Sequence, residues 1–91
     1  MAQRLRFSGR YVRVNEAMLR ERANRKDDPR HIFYEVMLEN DTYEAYEAAV
    51  GMKTVLVKTW NPPSLVSGHA EIRYARNDCR WIEDFAGRRS N

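Results

Sequence analysis

Nucleophilic or metal chemistry in this chain has few side chains to draw on, because Cys79 is the only thiol and His31 and His69 are the only imidazoles. A thiolate nucleophile needs an imidazole or another cation close by to lower its pKa. Cys79 follows Asp78 and precedes Arg80 beside a tight turn, where free cysteine usually behaves as a small half-buried apolar residue. Neither C-x-x-C nor H-x-x-x-H occurs, so His31, His69, Cys79 and Asp78 offer none of the close ligand pairs that zinc sites use. Among the carboxylates, Glu83 and Asp84, between Trp81 and Phe85, are the best candidate pair for acid–base work. A general acid there would need burial or a neighbouring charge to raise its pKa, and the pair reads instead as the polar end of a hairpin. Gly9, Gly51, Gly68 and Gly87 form no phosphate-cradling pattern, and no G-x-S-x-G elbow is present. The sequence therefore points to no catalytic residue, no metal and no cofactor.

Two binding features are left. The segment Asn61 to His69 follows Trp60, carries Pro62-Pro63 and places Leu65 and Val66 in mid-loop, where polar residues are expected. Read as a docking knob for a protein partner, it joins Trp60, Leu65 and Val66 to Tyr43, Glu44 and Glu47 on an acidic helix. The alternative is that Leu65 and Val66 fold back as a lid over a sheet edge. The second feature is an arginine face for nucleic acid, with Arg4, Arg6, Arg10 and Arg13 tracking phosphates and Tyr11 or Phe7 available for stacking. No RNP-type motif, helix-turn-helix signature or GXXG loop accompanies it. Glu16 and Glu21 stand four residues before Arg20 and Arg25, the favourable order for internal pairs.

The elements that must position these residues follow from periodicity. Arg4 to Val14 alternates in part and predicts a strand, with Gly9 as a bulge or bend. Asn15 caps a helix running to about Arg25, ended by Asp28-Pro29 because proline disfavours the α region at the residue before it. His31 to Glu39 alternates Ile32, Tyr34, Val36 and Leu38 against Phe33, Glu35, Met37 and Glu39, predicting a central strand. Asp41 with Glu44 resembles a capping box. It starts a helix with Tyr43, Tyr46 and Val50 on one stripe and Gly51 as its stop. Lys53 to Trp60 is a β-branched strand, and Ala70 to Arg76 with Cys79 to Phe85 form a hairpin about Asn77-Asp78.

The predicted order is β-α-β-α-β-β-β: an α+β domain over residues 1–86, with a mostly antiparallel sheet of four to five strands, two helices and a frayed tail at 87–91. A partly closed small barrel carrying helices is the alternative. The chain has 91 residues, 43% of them apolar and 32% charged, with ten aromatics, which is the composition of one folded domain. One cysteine, no apolar run after the basic start and no long apolar stretch point to the cytoplasm, away from secretion or a membrane. Residues 1–30 hold nine basic and four acidic side chains, whereas 31–60 hold two and five. Such asymmetry suits a polarised binding surface. The expectation is a small non-catalytic regulatory protein that binds another protein, with a homodimer open because small sheets leave edges to cover; the alternative is nucleic-acid binding through the arginine face.

Overall fold

The computed structural model describes residues 7–85; Arg4, Arg6 and the expected tail lie outside them. The described chain is α+β and runs β1 (Tyr11–Arg13), α1 (Glu16–Asn24), α2 (His31–Glu39), α3 (Tyr43–Val50), β2 (Thr54–Val57), β3 (Ser64–Ser67), α4 (Gly68–Arg73), a π-helical turn (Tyr74–Asp78) and β4 (Ile82–Asp84). Its described strands form two separate antiparallel ribbons, β1 with β4 and β2 with β3. Among the described residues the expected four- to five-stranded sheet is therefore absent, and two ribbons that share no strand do not close the alternative barrel.

Two helices arise as their residues dictate. Asn15 accepts the Met18 N–H at 3.2 Å and starts α1, whose Leu19 and Ala23 are buried. Glu16 pairs with Arg20, and Glu21 with Arg25 at 3.0 Å, along its exposed side. Tyr43, Tyr46 and Val50 form the buried stripe of α3, which Gly51 ends at φ 55°, a backbone state that costs glycine little. The cap of α3 is Thr42, not Asp41: its Oγ1 accepts the Ala45 N–H at 3.0 Å. Glu44 does not reach back to the cap either, but accepts the Gly9 N–H at 3.0 Å.

Three expectations are corrected. His31–Glu39 is a helix, because Phe33, Tyr34 and Met37 stand one and four positions apart and bury one helical face. His31 Nδ1 also meets Glu35 one turn on, at 2.9 Å. Residues 64–67, expected in a loop, are a strand that returns along β2, pairing Leu56 with Leu65 and Val55 with Val66. Residues 70–76 join no hairpin. Ser67 accepts the Ala70 N–H at 3.0 Å and caps α4, and Ile72 and Ala75, three apart, are fully buried. The last strand, β4, is left to pair with β1, matching Tyr11 with Asp84 and Arg13 with Ile82.

One apolar cluster lies between the helices and the β1–β4 ribbon, with Leu19, Phe33, Met37, Ile72 and Ile82 fully buried in it. Each such side chain contributes about 1.5–3 kcal/mol of transfer free energy. Tyrosine is the unusual ingredient. Tyr11 donates to the Met37 carbonyl and Tyr46 to the Gly68 carbonyl, both at 2.7 Å, while Tyr43 donates to Asp84 at 2.7 Å and Tyr34 to Glu71. Each buried hydroxyl thus has an acceptor, as burial requires.

Candidate docking site

The β2–β3 ribbon turns one face inward and one outward. Val57 and Val66 are buried, whereas Leu56 is 43% and Leu65 70% exposed, and these two leucines sit directly opposite each other. Alternation along each strand imposes this split, because successive side chains leave a strand on opposite faces. Around the leucine pair the outer face carries Thr54 opposite Ser67.

Trp60 stands at the end of the ribbon, 41% exposed. It is held from beneath: the Arg30 guanidinium lies 5.0 Å from its ring centroid, a cation–π distance. Arg30 is itself fixed by Asp28, through Nη2–Oδ2 at 2.7 Å and Nε–Oδ1 at 3.0 Å, a two-point grip that sets the plane of the guanidinium. This grip draws the Asp28 carboxyl below its ordinary pKa. Behind Arg30, 3.9 Å from its Nη1, lies Glu71, a carboxylate only 3% exposed. Burial pushes its pKa up, against the pull of the Tyr34 hydroxyl and the Arg30 charge. Tyr34, Glu71, Arg30 and Trp60 therefore form a continuous path from the core to the surface.

Beside the ribbon, a hollow of about 490 Å³ separates Leu56, Lys58 and Thr59 from the α1–α2 turn, where Arg25, Asp27, Asp28 and Pro29 form the facing wall. It has room for one or two partner side chains and presents both an apolar wall and charge.

Of the residues expected to meet a protein partner, Trp60 and Leu65 are exposed on this ribbon. Val66 is not: it faces the interior at 7% exposure, since its neighbour Leu65 takes the outer face. Tyr43 is fully buried in the core, with its hydroxyl on Asp84. Glu44 is engaged with Gly9, and Glu47 lies 3.6 Å from His69 Nε2. The acidic helix is therefore no part of the ribbon surface.

Among the residues proposed for nucleic acid, Tyr11 is buried and bonded to Met37, so it cannot stack on a base. Arg13 donates to the Asn40 carbonyl at 2.8 Å and to Asp41 at 3.3 Å. Arg10 packs 5.2 Å from the Phe85 ring centroid. Of the seven basic side chains described between residues 7 and 30, Arg13, Arg20, Arg25, Lys26 and Arg30 make ion pairs with this chain's own carboxylates. Of the four arginines of the expected face, Arg13 is thus neutralised and Arg10 is in no ion pair among the described residues, while Arg4 and Arg6 lie outside them.

The other candidate chemistry disperses. Asp84 is gripped by Arg76 at 2.9 Å, which lowers its pKa, and Glu83 points to solvent on β4. Cys79 is half-buried after the π-helical turn. No three His, Cys, Asp or Glu side chains among the described residues gather as a metal site, and no described helix is long and apolar enough to cross a membrane.

Sequence reasoning missed Leu56, Arg30 and Glu71. One signal was available for the ribbon: residues 48–70 contain no Asp or Glu, yet include Lys53 and Lys58. Glu71 had none, since its burial depends on which helix packs against α4. No family model, curated protein or solved structure matches the chain.

Proposed function

We propose that the chain is a non-catalytic, cytoplasmic binding module that regulates or assembles with another protein through the outer face of the β2–β3 ribbon. The observation that carries this reading is the Leu56–Leu65 pair, with Leu65 70% exposed on a ribbon whose opposite face is buried. An apolar cross-strand pair held in water is costly unless something covers it. Trp60 supports the same reading, because a large aromatic pre-positioned by Arg30 loses little side-chain freedom on binding. No comparable observation supports the nucleic-acid alternative.

Leu65→Asp in the full chain tests the reading. Leu65 is exposed, so folding stability should move by no more than about 0.5 kcal/mol. The protein that co-purifies with the tagged chain from its own cells should be lost. Retention of that protein, or recovery of nucleic acid in its place, would reject the proposal.

A further inference from the structure

The faces of the β2–β3 ribbon leave open how a partner chain would engage it, and the backbone gives an answer. The Gly68 N–H donates to the Lys53 carbonyl at 3.4 Å, so 53 and 68 face each other across the ladder. Hydrogen-bonded and non-bonded pairs alternate in an antiparallel ladder. By that alternation 55 with 66 and 57 with 64 are the bonded pairs, and the N–H and C=O groups of Thr54 and Leu56 point away from β3. Neither residue makes a backbone hydrogen bond beyond the ribbon among the described residues. β2 therefore presents an open row of donors and acceptors, and the hollow lined by Leu56 and the α1–α2 turn has room for one or two side chains of an added strand.

Charge identifies what fits there. Lys53 and Lys58 bracket β2, and neither has a carboxylate within 4.0 Å among the described residues. No acidic residue occurs between Glu47 and Glu71, so the ribbon cannot neutralise them itself. Across the hollow, Asp28 is held by Arg30, and Arg25 and Asp27 offer opposite charges, so that wall sets no preference. Carboxylates are therefore favoured by the lysines at the two ends of an added strand, and an apolar residue beside the exposed Leu56 at its middle. A second copy of this chain on the same edge would bring four ammonium groups to one ladder without an intervening acid.

Resting on the protein-binding reading, we infer that β2 accepts an extended segment of a partner protein by strand addition, its ends acidic and its middle apolar. Backbone hydrogen bonds to Thr54 and Leu56 hold it, Lys53 and Lys58 meet its end carboxylates, and its apolar side chains continue the Leu56–Leu65 face. Lys53 and Lys58 are five positions apart, so the segment's acids stand about 17 Å apart.

The test uses the full chain labelled with ¹⁵N and a capped hexapeptide with aspartate at both ends and valine and threonine between. Amide exchange at Thr54 and Leu56 should slow on adding the peptide. Affinity should fall about tenfold in Lys53→Glu/Lys58→Glu and return when the peptide's aspartates become lysines. N-methylating the peptide backbone on the side facing β2 should abolish binding. Unchanged exchange at 54 and 56, or equal binding of the lysine peptide to the unaltered chain, overturns the inference. So does protection that appears with chain concentration alone, which marks a second copy, or protection given better by a single-stranded oligonucleotide. If Leu65→Asp loses the cellular partner while 54 and 56 stay unprotected, strand addition fails and the protein-binding reading stands. Protection at both amides with an unchanged cellular partner supports the edge and removes the leucine face.

Discussion

Tyr34 and Glu71 join the core to the surface, and removing either should cost more than replacing both. The two side chains are 2% and 3% exposed, so neither can turn to water for a replacement partner. Tyr34→Phe leaves a buried carboxyl without its donor, at about 1–3 kcal/mol. Glu71→Ala strands the Tyr34 hydroxyl at a similar cost and opens a small cavity, for a total of about 3–4 kcal/mol. Tyr34→Phe with Glu71→Met removes both polar groups and refills the volume. Arg30 keeps its grip on Asp28, so the double change should cost about 1 kcal/mol or less. Urea midpoints at constant m-value measure all three. A pH series adds a sign. Burial raises the Glu71 pKa in the folded state, so that state holds the proton more tightly than the unfolded chain. The stability linked to this group is fully present below the ordinary Glu range and is lost as pH rises through the raised value. Glu71→Gln removes that slope, so wild type minus variant should fall with rising pH. Additive costs in the cycle, or a difference curve that rises with pH, would refute the reasoning.

Three further outcomes follow from the same geometry. Val66→Asp buries an unpaired charge at a site 7% exposed and should cost more than about 3 kcal/mol, a large share of a small domain's stability, as urea unfolding followed by near-ultraviolet circular dichroism would show. Gly68→Ala would set a Cβ 2.8 Å from Val50 Cβ and Cγ2; a loss of about 1–3 kcal/mol is expected, with part of it recovered when Val50→Ala is added. The Asp28 pKa is lowered in the folded state, so its contribution is present above the ordinary Asp range and lost as pH falls through the depressed value. Asp28→Asn should thus destabilise at neutral pH with a deficit that closes on acidification, and Trp60 fluorescence, read in a Trp81→Phe background, should shift as Arg30 loses its grip.

Elements with a single possible period were legible. The Tyr43, Tyr46 and Val50 stripe fits only a helix, and Thr54 to Val57 is too short and too β-branched for anything but a strand. His31–Glu39 was not legible, because apolar residues on both sides of Glu35, Ile32 to Tyr34 and Val36 to Leu38, satisfy both periods. Helix formers such as Met37, Leu38 and Glu39 and the His31–Glu35 spacing argued for the outcome. Asp28-Pro29 was read only as a stop for α1, whereas it also opens α2, with Asp28 Oδ1 accepting the Arg30 N–H at 3.0 Å. β3 hid behind Pro62-Pro63 because four residues, Ser64 to Ser67, carry too little pattern to declare a strand before the turn that pairs them is known. The pairing of β4 with β1 spans nearly the whole chain, and no local signal encodes it. In the candidate site, Trp60 and Leu65 could be read as exposed apolar residues. Leu56 shares a strand face with Trp60, but no local signal marked that face as the outer one; the register with Leu65 did.

The protein-binding account stands or falls on what touches Leu65 in the cell. A photoreactive residue at position 65 of the full chain, compared with the same residue at the exposed Glu83 of β4, reads this directly. The account predicts a discrete protein adduct from position 65, lost with Leu56→Asp and absent from position 83. No adduct at 65, or the same adducts from both positions, would contradict it.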